Sequence, residues 1–313
     1  VNLTDRIPQH RRGTAALLLI MAGSLGIQCT AALASSLFAA FTPTEVASLR
    51  ALLAAVTLLL LVRPNPLKLS RKDWVQVMVY GAVLTLMSIC FYNAIALIPL
   101  GVAVTFEYLG AFLVALLGVR QLRDGLFALF ALAGVIMIAA PTMAGDAAPI
   151  GFLWALGSAA SMAGYTLYSA RMGTVSPATA GLRGTTLALG VSALMQLPLA
   201  IPAVSRLDAG AWLILAITAV FGVALAYSAD NIAGQLTSAA VIGVLFSIDP
   251  VIGAIAGTAL LGEVLSWWAY AGIALIAASG AYIVWSTNRS AIRLTVHTGM
   301  LPVMSTPRKG KQS

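Results

Sequence analysis

Two carboxylates and one guanidinium stand inside otherwise apolar runs: Glu107 in Val104-Thr105-Phe106-Glu107-Tyr108, Asp249 in Ser247-Ile248-Asp249-Pro250, and Arg50 after Ser48-Leu49. An ionised side chain at the centre of a helix in lipid costs about 2.5 to 3.5 kcal/mol on insertion scales, so each of the three needs a reason to be there. Glu107 is too short to reach a headgroup easily. Either it faces a central cavity, where it binds a proton in one state and releases it in another, or it stays protonated and hydrogen-bonded to a neighbouring helix.

Asp followed by Pro is the pattern of an N-cap with proline at the first helical position, so the helix is expected to break at Asp249 and restart. A broken helix at mid-membrane exposes backbone groups and a positive helix end, which suit a substrate carboxylate. Arg50 has two open readings: a two-pronged hydrogen bond to a substrate carboxylate, or a snorkel to headgroups. Arg183 has a shorter route to the surface, and Asp230 is expected at the membrane interface. Tyr92, Asn93, Tyr165, Tyr168, Tyr227 and Ser228 supply hydroxyl and amide groups to the same candidate site. Gly253 and Gly257 read most simply as close helix packing.

These residues need a membrane scaffold. Of the 313 residues, 60% are hydrophobic and 9% charged, and the mean hydropathy is +0.96, a surface no soluble domain of this size could solvate. Apolar runs bounded by charge, Pro, Gly or loop residues place ten spans near 14–36, 45–62, 74–97, 100–119, 125–140, 150–170, 180–201, 210–229, 237–261 and 267–286. Runs this long must be helices, because hydrocarbon offers no partner for open backbone groups. All six tryptophans, Trp74, Trp154, Trp212, Trp267, Trp268 and Trp285, fall at or near span ends, as in an aromatic belt.

With a cytoplasmic start, Arg206 is the single basic residue expected in an outside loop. The others beyond the spans, from Arg6, Arg11 and Arg12 to Lys309 and Lys311, fall inside, which places both termini in the cytoplasm. The net charge of +8 then reflects topology and attraction to anionic membrane lipid, not nucleic-acid binding.

Ser48-Leu49-Arg50 and Gly181-Leu182-Arg183 occupy matching places in the two halves, and Ala133-Gly134-Val135 answers Ala271-Gly272-Ile273; the offset drifts from 133 to about 139 residues. In that register Asp249 matches Gly110, one turn past Glu107. Five spans per half make the second copy enter the bilayer from the opposite side, giving an inverted repeat of the kind that supports alternating access. The expected organisation is a cytoplasmic tail over 1–13, a first repeat over 14–141, a second over 150–286 and a basic tail over 287–313, disordered or lying on the membrane.

Cys29 and Cys90 lie within spans and read as packing residues, and His10 and His297 lie in the tails. No acidic pair has metal-ligand spacing, so neither a metal nor another cofactor is expected, and an enzyme such as a membrane-embedded transferase finds no support. A sensor or scaffold would carry a soluble output domain, and no loop between spans is long enough for one.

The segment Ile98-Pro99-Leu100-Gly101-Val102-Ala103-Val104-Thr105-Phe106-Glu107 resembles a signature of the drug/metabolite transporter superfamily, in the threonine/homoserine-exporter (RhtA-like) branch of EamA-type transporters. Leu37-Phe38, Leu49-Arg50, Tyr80-Gly81, Phe91-Tyr92, Tyr227-Ser228, Ser247-Ile248-Asp249-Pro250 and Leu261-Gly262-Glu263 extend the likeness from about Gly23 to Gly280. The resemblance implies an all-α membrane protein of ten transmembrane helices in two inverted five-helix repeats. It also implies export of small amino acids or related metabolites across the bacterial inner membrane in exchange for protons, with cavity roles for Glu107 and the acid before Pro250.

Four departures bear on the substrate. Asp249 stands where the branch has Glu, Ser35 and Ala111 stand where it tends to carry lysine and proline, and Leu236-Thr237-Ser238-Ala239-Ala240 replaces an arginine-bearing stretch. Import, or movement of another metabolite or a drug, is the alternative these leave open.

Overall fold

The protein is described by a computed structural model over residue 8 and residues 12–117, 130, 133–138, 148–175, 178–236 and 246–298. No strand occurs among the described residues. The helices are α1 (Arg12–Ser35), α2 (Pro43–Val62), α3 (Arg71–Ile95), α4 (Leu100–Leu117), α5 (Ala148–Val175), α6 (Leu182–Val204), α7 (Ala209–Ala219), α8 (Ala226–Leu236), α9 (Asp249–Leu261) and α10 (Trp267–Thr298). A π-helical turn, Val220–Leu225, joins α7 to α8 in one rod.

Among the described residues, six stretches are long and apolar enough to cross a membrane: Arg12–Ala39, Pro43–Val62, Arg71–Ile95, Pro149–Tyr168, Leu182–Val204 and Ala209–Ala233. Leu100–Val114 and Asp249–Leu261 are shorter apolar helices. Most of the span expected at 125–140, with Arg120, Arg123, Asp146 and Gly243, lies outside the described residues. Helix α10 runs on to Thr298, so the start of the expected tail is helical, its basic residues continuing the helix beyond the apolar stretch.

Local chemistry explains several ends. Thr42 and Glu45 form a capping box ahead of α2 with Pro43 in its first turn, and Ser70 and Asp73 do the same for α3. Gly262 closes α9 at a left-handed φ of 67°, a conformation glycine adopts without the Cβ clash other residues meet.

The helices pair across the two halves of the chain. α1 packs on α8 and α9, α2 on α6, α3 on α5 and α6, and α4 on α5 and α9. Glycines make the closest approaches possible: a Cβ on Gly110 would lie 1.8 Å from the Ala159 carbonyl oxygen, and one on Gly101 2.5 Å from Ala254 Cα. Gly253 and Gly257 sit against α4, facing Val104 and Leu100, as expected of packing glycines.

Four turns gather at one end of the bundle. Asn93 at the end of α3 donates to Thr44 Oγ1 at the start of α2, and Arg206 reaches from the α6–α7 turn to the Ala40 carbonyl and to Glu45. Glu263, beyond α9, accepts from the Leu100 N–H that opens α4, at 2.9 and 3.0 Å from its two oxygens.

Candidate functional site

Arg50 is buried, 5% exposed. Its Nη2 donates to the Thr218 carbonyl at 3.0 Å and to Thr30 Oγ1 at 3.3 Å, and its guanidinium lies 5.0 Å from the centre of the Tyr92 ring. Arg50 Nε and the Tyr92 hydroxyl have no hydrogen-bond partner. Among the described residues the ion pair is Arg206 with Glu45, so no carboxylate neutralises Arg50. The snorkel reading therefore fails: the π-turn beside Gly222 and the hydroxyl of Thr30 hold the side chain inward, away from either surface.

Glu107 accepts from Ser158 Oγ on α5 at 2.8 Å and lies within electrostatic range of Asp249. Asp249 is 0% exposed, and neither of its oxygens makes a hydrogen bond. Ser24 and Tyr108 face it, but not at hydrogen-bonding geometry. Nor is Asp249 an N-cap: it is the first residue of α9, capped by Ile248 without a side-chain bond, and Pro250 follows within the first turn. The expected helix restart is present, one residue earlier than the Asp-Pro pattern places it, and the Asp249 side chain is left facing the interior.

Asp230, near the end of the α7–α8 rod, is half-buried. Its Oδ1 is buried without a partner, and a Cβ on Gly23 would lie 3.2 Å from it. The glycine of α1 leaves room for this carboxylate, which also lies within electrostatic reach of Asp249. Tyr227 sits among these groups, within electrostatic reach of Arg50, Glu107, Asp230 and Tyr165. Its ring stacks on Tyr165 at 6.4 Å, and Tyr165 in turn meets Tyr80 at 5.7 Å.

The other expected residues are occupied elsewhere. Asn93 is held by Thr44 and by the Ile89 carbonyl, and Ser228 bonds back to the Ala224 carbonyl of its own helix. Tyr168 packs in the apolar cluster around Tyr80 and Leu84. Arg183 is exposed, as its position near a span end implies.

Sequence reasoning missed Ser158, Thr30 and Tyr108. A lone serine or threonine inside an apolar helix usually satisfies itself on its own backbone, so nothing in their spacing marks them. Tyr108, beside Glu107, is the one that adjacency signals.

Arg50, Glu107, Asp249 and Asp230 are thus all drawn into the interior, and Tyr227 is within electrostatic reach of Arg50, Glu107 and Asp230. Buried charges of this kind are costly unless paired, so the set is suited to partners of opposite charge.

Residues 149–285 match the EamA-like transporter family. The threonine/homoserine exporter RhtA of Salmonella typhimurium (strain SL1344) is 31% identical over 258 residues, covering 80% of this chain and 84% of that protein. RhtA of Escherichia coli (strain K12) is 30% identical over 261 residues, with the same coverage of 80% and 84%. A crystal structure, 20% identical, aligns with a TM-score of 0.61 over 88% of this chain and 99% of its own, a likeness of fold alone.

Proposed function

Because this chain belongs to the EamA-like transporter family, we propose that it exports small amino acids or related metabolites across the bacterial inner membrane by proton antiport. The observation that carries the reading is Arg50, buried without a counter-ion while Glu107, Asp249 and Asp230 line the same interior. A zwitterionic solute supplies what each side lacks. Its carboxylate takes the free Nε of Arg50 and the Tyr92 hydroxyl, and its ammonium takes the carboxylates. Protons compete with the ammonium for Glu107 and Asp249, so proton entry accompanies solute exit. One charge crossing ~100 mV supplies about 2.3 kcal/mol, roughly a 40-fold gradient.

Two features support a ten-helix inverted repeat with alternating access. Exchanging the two halves turns the α1–α8 pairing into the α3–α5 pairing, and it maps α2–α6 and α4–α9 onto themselves. Asp230 beside Gly23 has its counterpart in Cys90 beside Gly157, where a Cβ would lie 2.8 Å from Sγ. The basic residues put both termini in the cytoplasm, and hence the Glu263 end outside.

The test is counterflow of labelled threonine and homoserine in reconstituted vesicles, with and without a pH gradient. Saturable exchange that the gradient accelerates, and that Glu107→Gln uncouples in a folded protein, is expected. Absence of flux for every amino acid tried, or coupling unchanged in Glu107→Gln, overturns the reading. The departures at Ser35, Ala111 and Asp249 favour a second solute class within the same family, which the same vesicles read by competition.

A further inference from the structure

Arg50 commits the nitrogen that a carboxylate needs to two neutral oxygens. A carboxylate grips a guanidinium through two parallel N–H···O bonds, and a guanidinium offers two such forks, Nε with Nη2 and Nη1 with Nη2. Both forks include Nη2. Here Nη2 already donates to the Thr218 carbonyl at 3.0 Å and to Thr30 Oγ1 at 3.3 Å, two acceptors for its two hydrogens. Nε, by contrast, has no partner. A carboxylate arriving at Nε therefore finds the other half of its fork taken.

We propose that Thr30 is a positioning residue that stands in for the solute's carboxylate, holding Arg50 Nη2 until a carboxylate docks at Nε and then yielding it. The proposal rests on the reading above that Arg50 takes that carboxylate. Of the two acceptors, Thr30 is the one to yield. Its bond is the longer, and its hydroxyl also donates to the Ile27 carbonyl at 3.1 Å, so after the exchange the O–H keeps its partner and only a lone pair is vacated. Thr218 instead offers a backbone carbonyl of a fully buried residue in the last turn of α7, and such a carbonyl is costly to leave without a donor. The exchange also replaces a neutral acceptor with a charged one, and charge-assisted bonds are roughly twice as strong.

The surroundings set the direction of approach. A Cβ on Gly222 would lie 1.8 Å from Thr30 Oγ1 and 2.7 Å from Arg50 Nη2, so the π-turn closes that flank of the guanidinium. The Tyr92 ring lies 5.0 Å away over its face. The bare Nε edge is the way in: one carboxylate oxygen meets Nε, and the other takes Nη2 from Thr30. Thr30 therefore lowers affinity, because every carboxylate bound displaces one hydrogen bond. Removing the hydroxyl tightens binding, whereas removing a residue that merely orients Arg50 would weaken it.

The test titrates the full chain, carrying isotope-labelled arginine in lipid nanodiscs, with sodium acetate against sodium chloride at equal ionic strength. It follows the Arg50 Nε–H resonance, assigned by its loss in Arg50→Lys. Thr30→Val keeps the side-chain shape and removes the hydroxyl, so half-saturation should come at about tenfold less acetate. Thr30→Ala should shift the same way, and serves if the valine variant does not fold. Thr30→Ser keeps the hydroxyl and should stay near the unsubstituted protein. Acetamide is neutral and has a single acceptor oxygen, so it should show no gain in any variant. Equal or weaker acetate binding without the Thr30 hydroxyl, or equal gains for acetate and acetamide, overturns the proposal. A resonance that acetate moves in none of the proteins removes Arg50 as a carboxylate site, and the proposal with it. Amino-acid flux in vesicles is measured apart, so a failure of that reading leaves the acetate result standing.

Discussion

Arg50 donates to the backbone carbonyl of Thr218, 3.0 Å away and 168 residues distant in the chain. The bond ties α2 to α7 just ahead of the π-helical turn Val220–Leu225, where departure from the α-helical ladder re-aims the residues that follow. Tyr227 and Asp230 lie beyond that turn, and both face the interior. Gly222 gives the guanidinium its room.

Gly222→Ala is expected to destabilise the protein by about 1 to 3 kcal/mol, because the new Cβ would lie 1.8 Å from Thr30 Oγ1 and 2.7 Å from Arg50 Nη2. Thermal unfolding in detergent checks it. Thr30→Ala removes the closest contact but leaves its own Cβ at 2.8 Å and Arg50 Nη2 at 2.7 Å, so the double variant should recover only part of the loss. An unchanged Tm in Gly222→Ala would show that the π-turn yields more easily than its contacts imply.

Arg50→Lys keeps the charge but loses the planar fork that reaches Thr218, Thr30 and the Tyr92 face together. Apparent affinity for a zwitterionic substrate should fall by roughly tenfold or more, with expression and folding retained. Equal affinity in both proteins would remove Arg50 from the binding site.

Asp249→Asn takes a charge out of a buried position where neither oxygen has a hydrogen bond to lose. Stability should therefore be unchanged or higher, while acceleration of exchange by a pH gradient disappears. Retained acceleration would relieve Asp249 of its role in coupling.

Gly110→Ala places a Cβ 1.8 Å from the Ala159 carbonyl oxygen, a backbone atom that no rotamer change can move aside. Helices α4 and α5 must separate, at a cost of about 1 to 3 kcal/mol or more. Gly13→Ala, whose Cβ meets nothing within 4 Å, is the control and should leave the Tm where it is. Parallel behaviour of the two variants would contradict the packing.

Glu263 carries a pH dependence. Burial holds its carboxyl above the ordinary value of 4.5, and the Leu100 N–H opposes that shift. A carboxyl raised on folding binds its proton more tightly in the folded state. Its contribution to stability is complete below the ordinary value and declines as pH rises through the raised one. Glu263→Gln keeps an acceptor for Leu100 and removes the titration, so its Tm should decline less than that of the unsubstituted protein as pH rises from 4.5. Identical profiles would show that Glu263 does not titrate in that window.

Much of this was legible from spacing and composition. Length of apolar run dictates a membrane helix wherever hydrocarbon denies the backbone other partners, and α1, α2, α3, α5, α6 and the α7–α8 rod follow the expected spans. Glu107 and Asp249 were visible because ionisable groups are rare in such runs. The partners of Asn93, Ser228 and Ser158 were not legible, because the type of a polar residue does not say whether its partner is its own backbone or another helix.

The chain's own pattern determined that this is a helical membrane protein of the transporter type with scarce, individually meaningful charges. Only the tertiary structure decided that Arg50 turns inward with no counter-ion among the described residues, that Asp230 sits against Gly23, and that Ser158 on another helix holds Glu107. The physical reason is reach. Periodicity and hydropathy act along the chain over a few turns, but a buried charge is placed by whichever glycine, carbonyl or hydroxyl a distant helix brings to it.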